Sequence, residues 1–277
     1  MTITSKDNEK LKTIRKLNGR RRDRDQLGLF VAEGEDLVLA AYLAGVEPAG
    51  LFCRAGSQLD GIEVEPELLR SVTELNSGTR QLGIYRQHWV KSPPGNLHIY
   101  LHGVSDPGNV GTIIRSAAAF GASCVILGPG SADPYSPKAV RASMGAIFEV
   151  AVGRGDPPAV NSIALDAAST QSLAEVVATL SFPVASEATA ATEDTATEGA
   201  GNNPANDANG PQPGSGPAVP LTLMIGAERE GLPAELLAAA SYRARIPIAT
   251  ESLNAAVAAA VALYELSRSK PPASINP

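Results

Sequence analysis

Residues 97–128, "LHIYLHGVSDPGNVGTIIRSAAAFGASCVILG", decide how the larger part of the chain folds. Leu97 to Leu101 is a short apolar run. Gly103, Pro107 and Gly108 then break any regular period, and from Asn109 to Phe120 the residues Val110, Ile113, Ile114, Ala117 and Ala118 recur at helical spacing. A second apolar run follows at Cys124 to Gly128. Strand, helix and strand within so short a span read as one unit of a parallel sheet, with the helix as crossover. Further on, the pattern predicts helices at 136–145, 170–180, 233–240 and 252–268, and strands at 148–152, 162–165, 221–226 and 243–248. The expected fold class is therefore α/β, a parallel sheet covered on both faces, with ligands bound beyond the carboxyl ends of the strands.

Ahead of this region the pattern is smaller and mixed. A basic helix over about 6–18, strands at 29–32, 50–54, 62–64 and 82–86, and helices at 35–44 and 66–72 predict a compact α/β module. "QHWVKSPPGN", residues 87–96, interrupts both periods and marks a domain boundary, giving domains of 1–90 and 91–270. Residues 185–219 hold five acids, no Lys or Arg, and no aromatic, Leu, Ile or Met. Such a segment buries too little apolar surface to offset its ordering entropy, so it is expected to be a disordered acidic insertion within the second domain, an interdomain linker being the alternative.

The net charge of −6 argues against a nucleic-acid partner only until its distribution is considered. Without the insertion the balance is −6 + 5 = −1, and residues 6–24 carry nine Lys or Arg against three acids. That arm is suited to phosphates, although a solvated charged helix explains the charge equally well. The opening residues are too polar for a secretory signal and no apolar run is long enough to span a membrane, so a soluble, cytoplasmic protein is expected. Cys53 and Cys124 sit in strand-like apolar runs and read as buried thiols. With His88, His98 and His102 the only histidines, no metal site is expected.

Three strand ends hold the candidate chemistry. The glycines after the first fit neither GxGxxG nor GxxxxGK[ST], which leaves no phosphate cradle of either kind and no dinucleotide-dependent oxidoreductase. Asn109 is placed to cap the following helix. Arg115, about 240° further round it, stands among apolar residues, where an unpaired guanidinium is costly. "MIGAEREGLPAELL" ends a strand at Gly226 and turns tightly before the next helix, with Glu228 at the mouth of the sheet. "RIPIATESLNAAVAAAVALYEL" begins a helix that Glu251 or Ser252 caps.

In this order, "DPGNVGTIIRSAAAFG", "IGAEREGLP" and "IPIATESLNAAVAAAVALYE" resemble the three motifs of the SpoU/TrmH family of SPOUT-class RNA 2′-O-ribose methyltransferases. The resemblance covers about 97–268, and "KLKTIRKLNGRRRDRDQLGLFVAEG", residues 10–34, resembles the L30e-like substrate-binding domain that often precedes it. It implies a SPOUT domain with a C-terminal trefoil knot, an arrangement that periodicity does not reveal. It also implies Asn109, Arg115, Glu228, Ser252 and Asn254 as catalytic residues, S-adenosylmethionine as methyl donor held at Gly226, Ile246 and Leu253, and a homodimer whose site draws on both subunits. Arg15, Lys16, Arg20, Arg21 and Arg22 are the expected RNA contacts. The chain departs from the family in "PIATES", which is about two residues short and lacks the usual Gly, and in the acidic insertion.

The implied reaction moves a methyl group from a sulfonium to a ribose 2′-hydroxyl without a metal. A guanidinium is always protonated and so stabilises the alkoxide or grips a phosphate rather than acting as base. Asn109, Ser252 and Asn254 orient the ribose, and Glu228 fixes Arg115 or takes the proton. A structured RNA, 23S ribosomal RNA ahead of transfer RNA, is the expected substrate. The alternatives are a tRNA 2′-O-methyltransferase and a non-catalytic RNA-binding protein of the same fold.

Overall fold

The structure, a computed structural model, describes residues 2–74, 78–158, 161–180, 219–250 and 252–268. The expected insertion at 185–219 lies outside the described residues except for Val219, which is exposed.

The N-terminal module runs α1 (Glu9–Gly19), α2 (Arg21–Leu27), β1 (Leu29–Glu33), α3 (Glu35–Leu43), β2 (Gly50–Arg54), β3 (Ile62–Val64), α4 (Pro66–Arg70) and β4 (Gln81–Arg86). Asn8 caps α1 by accepting from the Lys10 N–H at 2.9 Å, and Leu11, Ile14 and Leu17 bring one face of the helix down on Val31, Phe52, Val64, Leu69 and Leu82. Each such side chain contributes on the order of 1.5–3 kcal/mol when fully buried. The sheet has the order β1-β4-β2-β3, antiparallel except for β2 with β3. The basic stretch is two helices rather than one. Arg20 is extended between them, and Gly28, at φ 64, ends the second.

The second region runs β5 (Trp89–Val90), β6 (Leu97–Leu101), α5 (Pro107–Ala119), β7 (Cys124–Leu127), α6 (Pro137–Ser143), β8 (Ala151–Arg154), β9 (Ser162–Leu165), α7 (Leu173–Thr179), β10 (Leu221–Ile225), α8 (Ala234–Ala239), β11 (Tyr242–Ala244) and α9 (Ala255–Arg268). Its strands form one parallel sheet of order β11-β9-β10-β6-β7-β8-β5. Trp89 and Val90, inside the expected connector, are thus the edge strand of this sheet.

Several elements differ from expectation. The strand expected at 148–152 begins only at Ala151, because Met144 (φ 49) and Gly145 (φ 95) turn the chain into a short 3-10 helix at Ala146–Phe148. That turn places the Phe148 ring against Tyr85 and Phe30, with centroids 4.9 and 5.9 Å away. The last strand stops at Ala244, short of Pro247, which has no N–H to give a ladder. Asp106 caps α5, accepting from the Asn109 N–H at 3.1 Å, so Asn109 lies within the first turn instead of capping it. Pro107 in the following position is the usual partner of such a cap. Asn254, rather than Ser252, starts α9, with its Oδ1 accepting from Ala256 at 3.0 Å; Glu251 lies outside the described residues.

The two regions share one core. Phe30, Leu37, Ala41 and Tyr85 pack in the same buried cluster as Ile99, Ile113, Tyr135 and Leu263. Across the seam Arg24 donates from Nε to Asp133 Oδ2 at 2.8 Å, with both side chains almost fully buried, and from a terminal nitrogen to the Leu17 carbonyl at 2.6 Å. Arg154 pairs with Asp25 at 2.8 Å and lies 3.7 Å over the Trp89 ring.

Candidate active site

β6 and β10 are parallel neighbours with Leu101 opposite Ile225, so the chain leaves both strands side by side at one edge of the sheet. The His102 N–H donates to the Ile225 carbonyl at 2.9 Å and the Gly103 N–H to that of Pro129 at 2.9 Å, which ties three strand-end loops together. After β10 the chain doubles back, with the Gly231 N–H donating to the Ala227 carbonyl at 2.9 Å, and projects Glu228, Arg229 and Glu230 from the turn. A Cβ at Gly226 would collide with the Gly231 backbone, so this close approach requires glycine.

Three side chains from distant segments meet here. Asn109 Nδ2 donates to Glu228 Oε1 at 2.9 Å, Asn254 Nδ2 donates to the same oxygen at 2.7 Å, and Asn254 Nδ2 also lies 3.1 Å from Asn109 Oδ1. The Ala255 N–H, at the start of α9, reaches Glu228 Oε1 at 3.4 Å. These donors and the N-terminal end of α9 converge on the same carboxylate oxygen. Oε1 is thereby saturated, while Oε2 has no hydrogen-bond partner among the described residues. Beside the triangle, Lys138 Nζ donates to Asp106 Oδ2 at 2.7 Å. That ammonium, helped by the backbone N–H groups of Asn109 and Gly108, holds the Asp106 carboxyl below its ordinary range.

Three concavities surround these loops. The largest, about 600 Å³, lies between the ends of β9 and β10 and the segment that follows β11. Ile225, Leu232, Leu237 and Ile246 give it apolar walls, and Gly226, Ser252 and Leu253 also line it. A second, about 270 Å³, holds Asp106, Asn109 and Glu228, and a third, about 390 Å³, opens beside His102 and Gly130.

The expected residues divide accordingly. Asn109, Glu228 and Asn254 are brought together, and Ser252, Gly226, Ile246 and Leu253 line the adjoining cavity. The short "PIATES" segment still reaches it through Ile248. Arg115 does not join them. Its side chain is exposed on α5, has no partner among the described residues and lines none of the three concavities, so its apolar sequence neighbours did not signal burial. Lys16, Arg20, Arg21 and Arg22 are exposed, whereas Arg15 is half-buried and donates to the Lys6 carbonyl at 2.9 Å. Sequence reasoning missed Arg229, which lines the first two concavities, and the burial of Arg24. Cys53 and Cys124 are buried thiols, and burial pushes the Cys124 thiol up to about 11. Among the described residues, no helix is long and apolar enough to cross a membrane.

The SpoU rRNA Methylase family matches residues 96–264, and the MRM3-like substrate binding domain matches residues 8–82. The 23S rRNA (guanosine(2553)-2′-O)-methyltransferase RlmP of Bacillus subtilis is 29% identical over 275 residues, 95% of this chain and 98% of that protein. An AdoMet-bound rRNA methyltransferase from Sinorhizobium meliloti superposes with a TM-score of 0.73 at 29% identity, covering 97% of each chain. The SpoU methyltransferase AviRb from Streptomyces viridochromogenes has the same fold, with a TM-score of 0.72 at 23% identity.

Proposed function

The chain belongs to the SpoU rRNA methylase family, and from that premise we propose that it methylates a ribose 2′-hydroxyl of 23S ribosomal RNA in the cytoplasm, with S-adenosylmethionine as donor. The observation that carries this reading is the Asn109–Glu228–Asn254 triangle at the mouth of a cavity of about 600 Å³. Ribosomal RNA is preferred to transfer RNA because the relative spanned almost end to end acts on 23S rRNA. In this reading residues 1–90 present the RNA, residues 91–270 carry the chemistry, and the C-terminal segments form the family's trefoil knot.

The cavity suits the donor. Its size falls within the range of small-molecule sites, its floor at Gly226 admits no side chain, and Ile246 and Leu253 flank it. Glu228 and Glu230 stand beside Arg229 around it, a net negative rim that suits a cationic ligand, while Asp166 is paired with Arg243. When bound, S-adenosylmethionine supplies an electrophilic methyl group on a sulfonium. The protein's own residues then aim and deprotonate the hydroxyl. Asn109 and Asn254 hold Glu228 by Oε1, leaving Oε2 free to accept the 2′-hydroxyl proton, and Ser252 bounds the ribose.

Arg115 acts from a second copy of the chain. It belongs to the exposed row Thr112, Arg115 and Ala119 of α5, and the neighbouring α9 exposes Val257, Val261 and Tyr264, an apolar stripe suited to a homodimer contact. The partner's Arg115 then stabilises the developing alkoxide. Arg115→Ala is expected to abolish methylation of 23S rRNA while calorimetry still shows donor binding. Mixing Arg115→Ala with Glu228→Ala protomers restores activity, since a mixed dimer holds one intact site. Near wild-type turnover in Arg115→Ala defeats the assignment, and failure of the mixture defeats the dimeric site.

A further inference from the structure

The carboxyl edge of the seven-stranded sheet carries more than the site. In the strand order β10-β6-β7-β8, the site stands over the ends of β10 and β6. α2 stands over the next two strands: Arg24 pairs with Asp133 in the loop after β7, and Asp25 pairs with Arg154, the last residue of β8. Because these strands are parallel, helix and site share one edge, with their centres two strand spacings apart, roughly 10 Å. Arg20, Arg21 and Arg22 face solvent here, and the Arg20 and Arg22 side chains have no hydrogen bond or ion pair among the described residues. Resting on the reading above, in which the protein methylates RNA, we propose that these guanidinium groups grip a backbone segment of the RNA, and that Arg24, acting through Asp133 as a positioning residue, sets that grip at a fixed distance from the reacting ribose. The target nucleotide is thereby chosen by its distance from the gripped segment.

The connection has no slack. The Arg24 and Asp133 side chains are only 5% and 6% exposed. Asp133 accepts from Arg24 Nε through Oδ2 at 2.8 Å and from the Tyr135 N–H through Oδ1 at 2.9 Å, so both of its oxygens are committed. The loop that carries Asp133 is bonded in turn to the loop that leads from β6 to Asn109. The Gly103 N–H donates to the Pro129 carbonyl at 2.9 Å, the Ala132 N–H to that of Val104 at 2.9 Å, and the Ser131 hydroxyl to that of Leu101 at 3.0 Å. A Cβ at Gly130 would stand 3.2 Å from the Gly103 Cα, and one at Gly103 would stand 3.2 Å from the Cβ of Ala227, the residue before Glu228. From α2 to the catalytic turn, each element thus rests directly on the next.

An ion pair buried in such a seam adds little net stability, because desolvation offsets much of its attraction. What it supplies is one geometry, since apolar side chains would fill the same space without fixing a register. Phosphate contacts position a nucleic acid without reading its bases, and structured RNA is recognised largely by shape. On a loose tether, the same guanidinium groups would raise affinity for any RNA. Held on the sheet edge, they favour only a ribose at the matching distance.

The test uses the full chain, S-adenosylmethionine, 23S rRNA transcribed in vitro, and nested fragments cut back around the nucleotide that 2′-O-methyl mapping identifies. Wild-type kcat/KM is expected to drop about tenfold or more at the fragment that loses the gripped segment. The double variant Arg24→Met, Asp133→Leu methylates that fragment as the wild type does and binds the donor equally, since neither residue lines its cavity. On the transcript it loses the wild type's advantage, and methyl groups appear on neighbouring nucleotides. A second measurement needs no variant: nucleotides inserted between the target and the gripped segment are expected to lower wild-type kcat/KM to that of the fragment. A double variant impaired equally on both RNAs, or as fast and as selective as the wild type on the transcript, overturns the fixed-distance inference. Indifference of the wild type to the deletion or to the insertion overturns it as well, and in each case the methyltransferase reading stands. No methyl transfer by the wild type to the transcript overturns the methyltransferase reading itself.

Discussion

The two sheets of this molecule handle charge in opposite ways. The four-stranded sheet keeps Lys16, Arg20, Arg21 and Arg22 facing solvent along α1, α2 and the junction between them, while Arg24 is buried in the seam with its neighbour. In the seven-stranded sheet the polar side chains of the site gather at the strand ends, where Asn109, Glu228 and Asn254 satisfy one another. One region therefore leaves its cations in water, and the other fixes a few atoms closely. In-register parallel strands make the second possible, because they release their loops at one edge.

The sharpest way to break the contrast is at Arg24, the cation that does not behave like its neighbours. Arg24→Met strands the buried Asp133 carboxylate and is expected to cost about 3–5 kcal/mol of stability in denaturant titration, while the double variant Arg24→Met, Asp133→Leu regains most of it. At the other sheet, Gly226→Ala presses a methyl group into the Gly231 backbone, with an expected cost of about 1–3 kcal/mol. Because the displaced Gly231 turn lines the same cavity, calorimetric donor affinity is expected to fall about tenfold. Replacing Arg20, Arg21 and Arg22 together by Ala leaves stability and donor binding unchanged. RNA affinity weakens, and the slope of log K against log salt becomes shallower by about 0.7–0.9 for each phosphate that the variant no longer neutralises.

The smallest effect concerns Asp106. Because Lys138 lowers its folded pKa, the stability it adds is present in full above the ordinary carboxylate value near 3.8 and disappears as the pH falls through the lower folded value. Lys138→Met should therefore lower neutral-pH stability slightly and leave stability below the folded value unchanged, so that the acid limb of the unfolding curve becomes shallower.

Much of the architecture was legible because apolar period and strand-end glycines are local signals. The strands at 97–101 and 162–165, and the meeting of Asn109 with Glu228 and Asn254, all followed from patterns within short windows or from motif order. What escaped depended on distant partners. Arg24 reads as one more member of a basic arm until Asp133, 109 positions on, is packed against it. Asn109 and Asp106 are both good caps, and Pro107 was the local clue that favoured Asp106. The aromatic seam that shortened the strand near Phe148 is built by Phe30 and Tyr85 from the other sheet. Arg115 misled for the opposite reason, since its neighbours in sequence are apolar while its own row on the helix is not.

Family resemblance divides this chain near residue 90, but its physical seam cannot be cut so cleanly. A fragment beginning there would leave behind Phe30 and Tyr85, baring the faces of Tyr135 and Phe148, and would strip Asp133 of its guanidinium. Heating should accordingly melt the intact chain in a single calorimetric transition, and the shortened one should precipitate: what looks like two exchangeable modules is inherited as one folding unit.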